Sequence, residues 1–159
     1  MNVQEQIKVL KEQISSSQEL LTKLEDQIKK EQEFPKVGDE YWRIDDKGSV
    51  DNSLYNDYYT DNHRQAIGNF FQTKQQAEFT VEKLKVEAEL RKYSRPFKEG
   101  ENENWFILWG TYKKEVQIDW SRKLVRQGTI YFESRKKANE AVESVGEERI
   151  KKYIFGVEE

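Results

Sequence analysis

A chain of 159 residues with a formal net charge of −3 has room for one domain or two small ones with a modest core. It has no cysteine, which excludes a disulfide scaffold and thiolate metal sites, and its acidic balance argues against a general binder of polyanions. Aromatic residues reach 13% although only 35% of the chain is hydrophobic, a proportion that fits a folded module carrying polar attachments rather than a disordered segment.

Residues 1–33 contain no glycine, proline or tryptophan and are rich in Gln, Glu, Lys, Leu and Ile, a helix-forming mixture. Their apolar positions recur at spacings of three and four. This is a heptad, with Ile7, Ile14, Leu21 and Ile28 at a, and Val3, Leu10, Ser17 and Leu24 at d. So narrow an apolar stripe needs a second surface to cover it. Branched residues at a with leucine at d favour two parallel strands, Ser17 weakening the seam locally. Ile7, Leu10, Ile14, Leu21, Leu24 and Ile28 are therefore the expected contacts of a homodimer, and the competing reading folds the helix back as an intramolecular arm. The opening MNVQEQIKVLKEQ is charged from residue 5 without an apolar core of signal-peptide length, and no run approaches a membrane span, so a cytoplasmic protein without a membrane partner is expected.

Phe34-Pro35 ends this helix, because proline disfavours the helical conformation of the residue before it. KVGDEYWRI (36–44) follows as a strand closing on the turn Asp45-Asp46-Lys47-Gly48, and another strand begins at Ser49-Val50. Asp51 to Asn62, dense in Asp, Asn and Tyr, reads as a long surface loop. Ile67 to Phe71 reads as a short strand, and Thr73-x-x-Gln76 as the capping box of a helix running from Lys74 towards Tyr93. The second half repeats this order. Trp105–Trp109 is a strand, Gly110–Lys114 a turn, and Glu115–Trp120 an alternating strand with Val116, Ile118 and Trp120 on one face. Thr129–Phe132 is the next strand, Ser134 the cap of a helix over Arg135–Val145, Gly146 its stop, and Glu147–Tyr153 a final short helix.

Aligning Ala77 with Ala138 places Phe71 on Phe132 and Thr73 on Ser134, with Trp42-x-Ile44 roughly on Trp105-x-Ile107. The expected fold is therefore α+β. An N-terminal coiled-coil helix (1–33) precedes a domain (36–159) made of two β-β-β-α repeats, 36–95 and 97–159. The repeats form one antiparallel sheet of about six strands with helices on one face.

Nothing in the chain resembles a catalytic set, and no enzyme activity, metal or cofactor is expected. The single histidine, His63, lacks neighbouring ligands at metal-site spacing. The acids Asp45, Asp46, Asp51, Asp57 and Asp61 lack the regular spacing, central glycine and terminal glutamate of a calcium loop. No phosphate-loop, dinucleotide, hydrolase-elbow or zincin motif occurs. Charge is divided instead. Acids crowd Asp39 to Asp61, where Tyr55, Asp57, Tyr58, Tyr59 and Asp61 form the candidate protein-binding segment, because tyrosine is a frequent interface anchor. Bases crowd Lys113 to Lys137, where Arg122, Lys123 and Arg126 are the alternative, phosphate contacts for nucleic acid with Trp109 or Trp120 stacking on bases. The alternation that turns Trp120 towards Val116 and Ile118 places it in the core and weakens that alternative.

KVGDEYW (36–42), Gly68-Asn69-x-Phe71-x-Thr73 with Ala77-Glu78, and Arg149-Ile150-Lys151-Lys152-Tyr153 with Phe155-Gly156-Val157 resemble small proteins of phages and prophages of Gram-positive bacteria. The similarity covers residues 36–157 and carries no active-site signature, so no functional residue is transferred. It implies an accessory phage product in the host cytoplasm. Small phage proteins of this kind often block host machinery, including CRISPR nucleases. The expected partner is thus a host protein such as a CRISPR effector nuclease, with a nucleic-acid-binding regulator or an assembly adaptor as alternatives.

Overall fold

Asn2 opens the first helix, α1 (Val3–Gln32): its Oδ1 accepts the Glu5 N–H at 2.9 Å while Glu5 Oε2 accepts the Asn2 N–H at 2.8 Å, a reciprocal cap. This computed structural model describes residues 2–32, 34–100 and 102–158, and of residues 27 and 29–32 the backbone alone. Residues 1 and 33, at the ends of the expected helix, and residue 159, at the end of the expected domain, lie outside the described residues. The chain divides into two units, one of residues 1–41 and 52–70, the other of residues 42–51 and 71–159.

The order after α1 is β1 (Glu40–Ile44), β2 (Val50–Leu54), α2 (Tyr59–Ala66), α3 (Lys74–Arg91), β3 (Ser94–Arg95), β4 (Asn104–Gly110), β5 (Glu115–Ser121), β6 (Tyr131–Phe132), α4 (Arg135–Val145) and α5 (Glu147–Tyr153). The protein is α+β as expected, but the strands lie in two sheets rather than one. β1 and β2 pair with each other, and the second sheet has the order β3-β6-β4-β5. Where the sequence suggests a strand over 67–71, Ile67 is the C-cap of α2, Gly68 takes a left-handed φ of 74°, and Phe71 keeps one antiparallel bridge, to Trp42. With its third strand reduced to that bridge, the first repeat joins the second sheet only through β3, whose Ser94 and Arg95 pair with Phe132 and Tyr131 of β6. The expected loop over 51–62 is corrected too, since most of β2 and the first half of α2 occupy it.

In the second unit β4 and β5 pair antiparallel over seven residues, from Asn104↔Ser121 to Gly110↔Glu115. Alternation along these strands puts Trp105, Ile107, Val116 and Ile118 on one face. That face and Phe132 pack against Val86 and Leu90 of α3, Ala138, Ala141 and Val145 of α4, and Ile150 of α5. The three helices therefore cover one face of the sheet. Ala77 and Ala138 are both fully buried, and Thr73 and Ser134 cap their helices alike, each side-chain oxygen accepting a backbone N–H at 3.2 Å. Trp42 pairs with Phe71 as Trp105 pairs with Phe132. Gly146 ends α4 at φ 92°, its N–H donating to the Val142 carbonyl at 2.8 Å, a backbone conformation that glycine adopts without strain. Arg149 of α5 forks onto Glu89 of α3 at 3.0 and 3.1 Å and holds that carboxyl below the usual range.

The opposite face of the sheet carries Asn104, fully buried. Its Oδ1 accepts from Arg95 Nη1 and the Lys98 N–H, both at 2.8 Å, and its Nδ2 donates to the carbonyls of Lys98, Asn102 and Ser121. One amide thus fastens the 96–102 connection to β4 and β5.

Candidate functional site

In the first unit a polar knot holds the tyrosine-rich segment. Tyr41, fully buried on β1, donates its hydroxyl to Asp61 Oδ1 at 2.7 Å and accepts from Arg64 Nη1 at 2.8 Å. Asp61 Oδ2 accepts the backbone N–H of Asn56 at 3.0 Å and of Tyr58 at 3.4 Å, which fixes the start of α2. Burial pushes the Asp61 carboxyl up. The Asn56 N–H, the Tyr41 hydroxyl, the Tyr58 N–H and the Arg64 charge outweigh it, and the group titrates below the usual Asp range. Beneath this knot the Tyr41 ring stacks on Phe70 at 3.9 Å, and Tyr55 meets Phe70 edge-on at 5.8 Å. Burial, then the Asp57 carboxylate that accepts from it at 3.1 Å, raise the Tyr55 phenol above its usual range.

The five expected contacts of this segment therefore divide. Tyr55 and Asp61 point inward and build the scaffold, whereas Asp57, Tyr58 and Tyr59 remain exposed. Asp57 has a left-handed φ of 56° and receives Asn62 Nδ2 at 2.9 Å, so it shapes the turn as well. Two residues outside the expected set belong to the surface. Tyr59, His63 and Ile67 follow at i, i+4 and i+8, which places them along one side of α2. The Tyr59 and His63 rings lie 3.9 Å apart, His63 Nδ1 is 3.0 Å from the Tyr59 carbonyl, and Tyr59 and Ile67 are 76% and 78% exposed. That spacing was present in the sequence, but reading the segment as a loop and then a strand concealed it.

Two of the acidic residues that could have met a cation, Asp45 and Asp51, are engaged locally. Asp45 Oδ1 accepts the N–H groups of Ser49 and Lys47 at 2.7 and 2.9 Å, and Asp51 pairs with Arg43 at 2.8 Å. Among the described residues no group of three or more His, Asp or Glu stands in metal-binding arrangement.

The basic candidates of the second unit are separated by their own contacts. Arg122 lies over Trp120 at 5.1 Å and reaches Glu103 at 3.4 Å, while the Arg126 guanidinium sits over Phe106 at 4.6 Å on the sheet face away from the helices. Lys123 is exposed in the turn between β5 and β6. Trp120 shares the face of Trp105, as the alternation requires, yet it remains 41% exposed at the strand's end and is not a core residue. Trp109, the other expected stacking residue, is half-buried with Phe155 at 6.4 Å and the Lys151 ammonium at 6.0 Å. An apolar pocket of about 140 Å³ opens beside Leu90, Ile107, Phe132, Ile150 and Phe155, and the charged residues at its rim, Glu87 and Arg91, pair at 3.0 Å. The described part of α1 and the other helices include none long and apolar enough to cross a membrane. Comparison of the chain with protein-family models, with curated proteins and with solved structures gives no match.

Proposed function

We propose that the protein is a non-enzymatic binding protein that engages a protein partner through the Tyr59–His63–Ile67 side of α2, with Tyr58 beside it. One observation carries this reading: large apolar and aromatic side chains stand in solvent on a short helix whose base is fixed by a buried carboxylate. A presented side chain that need not be ordered on binding forfeits less conformational entropy, the condition under which tyrosine serves as an anchor. The 140 Å³ pocket is small against the roughly 300–1,000 Å³ of ordinary ligand sites, and its charged rim is internally paired, so it supports no rival small-molecule reading.

The resemblance to phage and prophage proteins makes that partner a host factor, and inhibition of a CRISPR nuclease is the most specific form of the proposal. The same reading takes the matched Trp–Phe pairs and hydroxyl caps as a duplicated unit. Binding of nucleic acid by Arg122, Lys123 and Arg126 has less support, because two of the three cations already lie against aromatic rings of their own chain. Affinity capture from a host lysate with the unmodified chain, Tyr59→Ala, Ile67→Ser and Arg122→Glu tests the choice. A protein retained by the unmodified chain and Arg122→Glu but lost with both α2 variants is expected. Equal retention by all four refutes the α2 surface. A gel shift at low salt that vanishes with Arg122→Glu favours nucleic acid instead.

A further inference from the structure

We infer that α1 is a self-association element that pairs parallel and in register with α1 of a second copy of this chain, independently of what α2 binds. The seven apolar seam residues Val3, Ile7, Leu10, Ile14, Leu21, Leu24 and Ile28 are between 47% and 70% exposed, so nothing else described in their own unit covers the stripe. On a helix thirty residues long they are presented over about 37 Å, from Val3 to Ile28, at 1.5 Å per residue. At about 100 Å² of apolar surface each, they offer up to about 700 Å² per helix and about 1,400 Å² for a pair. That falls within the roughly 1,200–2,000 Å² of a stable specific interface.

The charges name the occupant. Glu5, Glu12, Glu19 and Asp26 all fall at heptad position f, diametrically away from the seam, and Lys8 and Lys23 fall at b and c. The described flanks of the seam are Gln4, Lys11, Gln18 and Glu25 at e, and Gln6, Gln13 and Leu20 at g. These flanks are nearly neutral and hold no like-charge pair, so two identical surfaces meet without repulsion. A partner helix selected by complementary flanking charge would find little to read here.

The direction follows from Ser17. In a parallel pair it faces Ser17 of the second copy, and the polar fault is confined to a single layer where two hydroxyls can meet. In an antiparallel pair with every layer filled, each Ser17 hydroxyl would be set against Ile14 of the second copy, which spoils two layers. Branched Ile at three of the four a positions, with Leu10 and Leu24 at d, favours the same arrangement.

Sedimentation equilibrium of the full chain at about 20 μM, about 20 times a dissociation constant of about 1 μM, tests the pairing. The unmodified chain is expected at twice the chain mass, Glu12→Lys at the same mass, and Ile14→Asp with its dissociation constant raised at least about 100-fold. Because the chain has no cysteine, one introduced thiol reports direction. Leu10→Cys and, separately, Val3→Cys are expected to cross-link to a disulfide dimer under mild oxidation, and Glu12→Cys is not. In the antiparallel arrangement the two copies of residue 3 stand about 37 Å apart and cannot join. A monomer or trimer for the unmodified chain, or a dimer in which neither seam cysteine cross-links, overturns the proposal.

Discussion

Replacing Tyr41 by phenylalanine removes one oxygen atom and leaves the ring stacked on Phe70, so its effect isolates the polar knot under α2. The hydroxyl donates to a buried carboxylate at 2.7 Å and accepts from a guanidinium at 2.8 Å, and a hydrogen bond to a charged group contributes roughly 1.5–3 kcal/mol. Arg64 already stands 3.6 Å from Asp61 Oδ1 and can close in once the hydroxyl is gone. That recovers part of the loss, and the net cost is about 2 kcal/mol, a factor of about 30 in a local opening equilibrium. Amide hydrogen exchange is the direct assay. Protection of the Asn56 and Tyr58 N–H groups, both held by Asp61 Oδ2, is expected to fall about 30-fold while the β4–β5 ladder is unchanged. Unaltered protection at those two amides would show that the carboxylate fixes α2 without Tyr41. An equal loss in the ladder would show that the knot is not a local device. Either result refutes the reasoning.

Asp61→Asn should flatten the acid limb of stability measured by exchange at the same amides. The Asp61 carboxyl titrates lower in the folded chain than its unfolded value of about 3.9, so its contribution is complete above about pH 5 and is lost as pH falls through the depressed folded value. Asn104→Ala removes an amide that makes five hydrogen bonds in a fully buried position. It should lower stability in urea by about 3 kcal/mol, and a loss below about 1 kcal/mol would mean that the 96–102 connection is held by something else. Ala138→Leu inserts a branched side chain where α4 lies flat on the sheet and should cost about 1–3 kcal/mol, read as a lower melting temperature. An unchanged melting temperature would mean that the helix can lift without penalty.

What the sequence made legible was what depends on nearby residues. The α1 heptad, the Thr73 and Ser134 caps, the stop at Gly146 and the β4–β5 hairpin are each settled by neighbours within about a turn or a strand, and each stands where the pattern puts it. The fate of 51–70 was not local. Asp, Asn and Tyr in that density signal a loop, whereas the buried Asp61 carboxylate at the start of α2 draws one of its hydrogen bonds from outside the segment, from the Tyr41 hydroxyl twenty residues earlier. Once α2 ends at Ile67, the residues that would have made a third strand are consumed by its cap and by the turn at Gly68, and the strands lie in two sheets instead of one. The proposed binding surface was hidden by the same step, since the i, i+4, i+8 relation of Tyr59, His63 and Ile67 has meaning on a helix and none on a loop.

The residues that anchor the two irregular segments stand at matching places. Tyr41 immediately precedes Trp42, and Asn104 immediately precedes Trp105; both are fully buried, and each tryptophan pairs with the phenylalanine that comes before a capped helix. A strand points successive side chains to opposite faces, so if the tryptophan faces the helices, the residue before it must face away from them. A polar group there is buried without solvent and must be satisfied by whatever chain passes over it. Asn104 is satisfied by the backbone of the 96–102 connection and by Arg95, while Tyr41 is satisfied by a carboxylate and a guanidinium on α2. The difference bears on the proposed function. Backbone partners bind a connection down along its length, whereas side-chain partners on one side of a helix leave the other side turned to solvent. It is from that second arrangement that Tyr59, His63 and Ile67 are presented on a fixed base.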